Sequence, residues 1–111
     1  MTDLVARVRA ICMEFPGVTE KLSHGTPLWS ARKSFVQIWP DGHHDNDFAH
    51  LWCAAPPGVQ ESLIMRDPQR YFRPPYVGHR GWVGMRLDGA LDWDDVEEAC
   101  ELAYRTVKPA A

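Results

Sequence analysis

Two apolar stripes at helical spacing bracket this chain, and nearly every segment between them reads as strand or turn. Near the start, Leu4, Val5, Val8, Ile11, Cys12 and Phe15 recur at helical steps and stop at Pro16-Gly17, the pattern of a helix that buries one face. Near the end, Val96, Ala99, Cys100, Ala103, Tyr104 and Val107 repeat that pattern. Asp92 precedes them as a capping side chain, and Asp94 and Asp95 lie where a helix dipole favours negative charge. Helices at both ends of a run of strands bury their stripes by packing on the sheet they enclose. The expected class is α+β, an antiparallel sheet covered on one face by the N- and C-terminal helices.

The middle of the chain supplies the strands. Residues 18–25 read as a polar connector, and Pro27 holds the chain extended before a first strand over 28–31. Residues 34–39 alternate aromatic and β-branched side chains as a second strand, hairpinned to the first through Arg32-Lys33. Residues 40–47 form a turn-rich polar loop expected to project into solvent, and 48–55 a third strand. Pro56-Pro57-Gly58 opens a short helix through residue 65 with Val59, Leu63 and Ile64 inward, and Asp67-Pro68 stops it. Residues 71–77 are extended but barred from a sheet centre by Pro74-Pro75, whereas 81–87 alternate as a strand.

A length of 111 residues gives room for one core, and a single domain over 1–111 is expected. Five tryptophans, 45% hydrophobic residues and a net charge of -3 separate the chain from disordered ones. No apolar run approaches the ~20 residues that span a bilayer, and a start carrying Asp3, Arg7 and Arg9 does not resemble a secretory leader. Cys12, Cys53 and Cys100 are unpaired in spacing and set among apolar neighbours, so they are expected as reduced core residues in a cytoplasmic protein.

Charge is uneven. Arg66, Arg70, Arg73, Arg80 and Arg86 share their window with one acid, Asp67, while Asp88, Asp92, Asp94, Asp95, Glu97, Glu98 and Glu101 run without a base among them. Such polarity can steer an anion or nucleic acid to the basic side, or the arginines can simply be solvated or paired. His43, His44, Asp45 and Asp47 carry metal-ligand chemistry, but adjacent histidines on a turn rarely converge, and no metal site is expected. Ser23-His24 has no orienting acid and no nucleophile elbow, and Gly78, Gly81 and Gly84 do not form a phosphate loop. The tryptophans are expected in the core, with Trp82, between Arg80 and Arg86, the best placed as a stacking platform for a base.

Three segments, Leu22-Ser23-His24-Gly25-Thr26-Pro27, Pro74-Pro75-Tyr76-Val77-Gly78-His79-Arg80-Gly81-Trp82-Val83-Gly84 and Leu91-Asp92-Trp93-Asp94-Asp95, closely resemble the MmcQ/YjbR family of small bacterial proteins in order and spacing. The Asp67-Pro68 helix exit, Lys33, Arg73 and Ala103-Tyr104 extend the resemblance over nearly the whole chain. It implies a CyaY-like (frataxin-like) α+β fold, also described as a double wing, and DNA binding without an established reaction.

The expected function is non-enzymatic DNA binding, with Lys33, Arg66, Arg70, Arg73, Arg80 and Arg86 on phosphates. An alternative is a small-anion or protein-interaction site in which Tyr76, His79 and Arg80 grip the anion, and Gly78 and Gly81 let backbone amides approach. His24, Gly25 and Pro27 can build a turn leading into a strand, and in the alternative His24 can also join Tyr76, His79 and Arg80 on the anion. A third reading, metal handling by analogy with frataxin-like folds, would use the acidic last helix. No cofactor and no membrane partner is expected, and the chain is expected as a monomer or weak dimer.

Overall fold

Asp3 starts the first helix by accepting the backbone N–H groups of Val5 and Ala6 at 3.0 and 3.3 Å, and Asp92 caps the last by accepting that of Asp94 at 2.9 Å. The computed structural model describes residues 3–43 and 46–108. Helix α1 is Leu4–Met13, α2 is Val59–Arg66 and α3 is Trp93–Val107. Strands β1 (Thr19–Ser23), β2 (Thr26–Ala31), β3 (Lys33–Trp39), β4 (His50–Cys53), β5 (Tyr71–Phe72) and β6 (Val83–Arg86) make one sheet in the order β1-β2-β3-β4-β6-β5. Every pairing is antiparallel, as the α+β expectation requires.

One sequence expectation is corrected. The supposed connector over 18–25 is strand β1 and its turn. Ser23 pairs with Thr26 across His24 and Gly25, whose φ angles are +54° and +80°, the left-handed pair that a two-residue hairpin turn demands. Strand β1 escapes sequence reading because it is an edge strand: Thr19 to Leu22 are all exposed, so no alternation marks it. What fastens it is Glu20. Its carboxylate accepts from Arg9 Nε at 2.8 Å and Arg9 Nη2 at 3.0 Å, and from the buried indole of Trp29 at 2.9 Å. The Arg9 hydrogen bonds, then that of Trp29, hold the Glu20 carboxyl below the usual carboxylate range.

Register fixes two faces. Val36, Ile38, Leu51 and Cys53 alternate onto one, where α1 and α3 bring Val8, Cys12, Val96, Cys100 and Ala103 into the same core. Phe15 stacks on Tyr104 at 4.8 Å, and both meet Phe35 edge-on. Cys12 neighbours Cys100, and that contact with burial raises the Cys100 thiol. Burial also raises Cys53. A maleimide probe is therefore expected to leave all three cysteines unmodified in the native protein and to label them once denaturant is added. Fast labelling of native protein would reveal local opening between α1 and α3.

The other face carries Gln37, Trp39, His50 and Trp52 and, among the described residues, has no helix upon it. Loops cover it instead. Phe48 and Phe72 meet edge-on at 5.7 Å beside His50, and Arg86 lies 3.9 Å over the Phe48 ring. The His50 ring is fully buried and its Nδ1–H donates to the Phe48 carbonyl at 2.8 Å. Burial pushes its pKa down, so the folded protein holds this imidazole neutral. The unfolded chain takes up a proton near the ordinary value of about 6.5, whereas the folded one does so only at lower pH. Stability is therefore expected to fall as pH drops below that point, seen as a decreasing urea midpoint between about pH 6.5 and 5. His50→Phe should flatten this slope. Glu20 and Asp88, lowered by Arg9 and Arg86, lose their contribution only at more acidic pH.

Candidate functional site

An aromatic pocket opens on the helix-free face at the end of the sheet where β2 begins and β3 finishes. Trp39 and Trp52 form its floor, 4.9 Å apart between ring centroids and tilted by 55°. Alternation puts both on this face, and their neighbour Gln37 ties the floor to one wall. Its Nε2 donates to the Ser23 carbonyl at 2.9 Å and to Thr26 Oγ1 at 3.0 Å, which holds the β1–β2 turn and His24 at the rim. The opposite wall is Tyr76 and Val77, from the segment that follows the Pro-Pro step. The enclosed volume is about 670 Å³, within the range of small-molecule sites.

The loop after β3 closes the third side, a second correction. Instead of projecting into solvent, it turns back through a bridge between His43 and Asn46. The His43 ring lies tilted 4.0 Å from the Trp39 ring and edge-on 5.2 Å from that of Trp52, with Tyr76 6.3 Å away. His44 and Asp45 lie outside the described residues. Among the described residues no group of three or more His, Cys, Asp or Glu is placed to hold a metal ion, the acidic run of α3 included.

Two features mark the rim. Of the three non-glycine residues with positive φ among the described residues, His24 (+54°) and Tyr76 (+65°) both line this pocket. Left-handed backbone is costly for a tyrosine, and such strain gathers where function fixes a side chain. Tyr76 and the nearby Leu22 are also among the largest exposed apolar groups, 67% and 72% accessible.

The residues singled out from sequence divide between this pocket and other places. His24 and Tyr76 line it; His79 and Arg80 do not. Those two are exposed on a short 3-10 turn, Gly78–Arg80, which Gly81 ends by returning its N–H to the Gly78 carbonyl at 3.0 Å. Trp82 is 5% accessible, with Arg80 5.4 Å over its ring, so its face is occupied and offers no platform to a base. Arg70 is a structural strap. Its Nη1 donates to the carbonyls of Arg86 and Asp88 at 2.8 and 3.0 Å, and its Nη2 to that of Ala90 at 3.0 Å. Arg86 forms a two-pronged pair with Asp88 at 3.0 and 2.7 Å. Arg66 and Arg73 are exposed, the latter 3.5 Å from Gln60 Oε1 with its stem against buried Gly78. Lys33 is exposed at the β2–β3 turn, the opposite end of that hairpin from His24. Pro27 is half-buried within β2 opposite Leu22.

Sequence reading passed over Gln60. It is 3% accessible on α2, and its Nε2 donates to the carbonyls of Gly78 at 2.9 Å and Trp82 at 2.6 Å. One side-chain amide thus pins both ends of the turn below the Tyr76 wall. Its place three and four residues before Leu63 and Ile64 on the inward side of α2 was the available signal.

An antiparallel sheet backed by helices on one face and hollowed into an aromatic pocket on the other defines a small α+β domain. The chain belongs to the YjbR family, whose model matches residues 13–106. It is similar in fold to the crystal structure of Deinococcus radiodurans protein DR2400, a DUF419 domain. The TM-score is 0.72 at 21% identity, and the match covers 90% of this chain and 75% of that one. No curated protein matches the chain. Among the described residues no helix is long and apolar enough to cross a membrane.

Proposed function

We propose that this chain is a non-enzymatic binding domain that takes a small molecule in the pocket floored by Trp39 and Trp52. The observation that carries this reading is the pocket itself, concave, aromatic-walled and rimmed by His24 and Tyr76 in left-handed backbone. Preformed cavities with apolar walls and a few polar groups are the usual form of ligand sites. No nucleophile with an orienting base and acid stands in it, so the reading is binding without turnover.

The DNA-binding alternative depends on cations sharing a face. Arg70 spends its guanidinium on three backbone carbonyls and Arg86 spends its own on Asp88, which supports the pocket reading over the phosphate one. A fragment set followed by amide and indole NMR, beside fluorescence anisotropy of labelled DNA at about 50 and 200 mM salt, separates the two. Fragments that move Trp39, Trp52 and Tyr76 signals and are recovered chemically unchanged are the expected result. Salt-sensitive DNA binding that is lost in Arg66→Ala, Arg73→Ala and Arg80→Ala, with no fragment response, would overturn it.

A further inference from the structure

Resting on the pocket reading, we infer that the ligand is a flat aromatic molecule bearing a carbonyl or carboxylate oxygen, received by the indole N–H groups of Trp39 and Trp52. Each of these side chains is 4% accessible, each lines the cavity, and neither Nε1 has a hydrogen-bond acceptor. Trp29 shows the contrast within the same protein: its indole is buried too, and Glu20 accepts from it at 2.9 Å. Buried indole nitrogens ordinarily find a partner. Two that lack one, on adjacent strands and in residues that line one cavity, are a donor pair left for an acceptor from outside the chain, which must displace the groups that now cover both nitrogens.

The chemistry of the walls narrows the class. An indole N–H only donates, so the complementary group accepts. Among the described residues lining the cavity none is Asp or Glu, so among them an oxygen carrying partial or full negative charge meets no carboxylate. His24 and Tyr76 at the rim add polar groups, and the faces of the two indoles and of Tyr76 suit a planar ring. The His43 imidazole, tilted over the Trp39 ring and edge-on to that of Trp52, is the group an entering ring displaces or slides beside. A cavity of about 670 Å³ admits a bicyclic molecule.

The test uses three unlabelled probes of one ring size, indole-3-carboxamide, indole-3-carboxylate and indole, added to the 15N-labelled full chain while its indole N–H signals are followed. Trp39→Phe and Trp52→Phe assign the two signals. At least one acceptor probe is expected to bind about tenfold more tightly than indole and to shift both N–H signals downfield. Trp52→Phe changes the floor for every ring probe, so the loss to read is the difference: affinity for that acceptor probe should fall about tenfold more than affinity for indole. If the variant does not fold, the comparison of probes on the unmodified chain decides alone. Equal binding of indole and the acceptor probes, with the Trp39 and Trp52 N–H signals unmoved, overturns the oxygen assignment while the pocket reading stands. No response of any pocket signal to any probe overturns both.

Discussion

Replacement of Gln60 by leucine is expected to destabilise the protein by about 2–5 kcal/mol, because two backbone carbonyls lose their donor while leucine restores only the bulk. The carbonyls are those of Gly78 and Trp82, 2.9 and 2.6 Å from Gln60 Nε2. Urea unfolding monitored by tryptophan fluorescence measures the loss. A surface glutamine changed to leucine stays within about 0.5 kcal/mol, so a value that small would show that the bridge contributes nothing. The variant should also move NMR signals of Tyr76 and Val77, since the turn that anchors that wall of the pocket is released. Gln60→Glu retains only acceptor oxygens when ionised and faces the same two carbonyls, so it should be no better than leucine.

A comparable effect is expected from Gly84→Ala. Gly84 pairs with Phe72 across β5 and β6, and an added Cβ would fall 2.4 Å from two atoms of the Phe72 ring. No carbon pair tolerates that distance. The ring is held by Phe48 and His50 on its other sides and has little room to retreat. Overpacking of this kind costs about 1–3 kcal/mol, and occasionally more. The cause is checked by a double-mutant cycle with Phe72→Leu, in which the second change should recover part of the loss. Strict additivity would show that the alanine acts elsewhere, for instance on Trp52, which faces Gly84 from β4.

Both residues also show what the sequence could and could not reveal. Helices α1 and α3 were legible because each buries one stripe, α3 also through the capping Asp92, and β3 because its alternation is strong. Strand β1 was not, since an exposed edge strand stabilised by one carboxylate has no periodic signature. The pocket was hidden for a different reason. Trp39 and Trp52 were expected in the core, and they are buried, but burial beneath a cavity and burial within a core read identically in sequence. His43 belonged to a loop expected in solvent, and only its return over the indoles makes the third wall. The family-motif segment around Tyr76, His79 and Arg80 was visible as a unit, yet the 3-10 turn separates its members, giving Tyr76 to the pocket and leaving the other two outside.

The arginines teach a related lesson. Five bases in one window suggested a phosphate-binding surface, but a guanidinium with five donors is as well suited to gathering backbone carbonyls as to gripping an anion. Arg70 does the former where β6 leads toward α3. Clustering in sequence fixes the number of positive charges. Their availability depends on how many backbone acceptors the fold leaves within reach.

The walls of the aromatic pocket come from Ser23 and His24, from Gln37 to His43, from Trp52, and from Tyr76 and Val77, stretches that no short segment of chain contains. Such a cavity exists only when β1 through β4 and the turn held by Gln60 are all in place. An occupant therefore acts as a cross-link between distant parts of the chain, and its binding energy adds to the free energy of global opening. Amide hydrogen exchange should register this as slower exchange throughout the elements that exchange only by complete unfolding, helices α1 and α3 on the far face included, and not as local protection around the ligand alone.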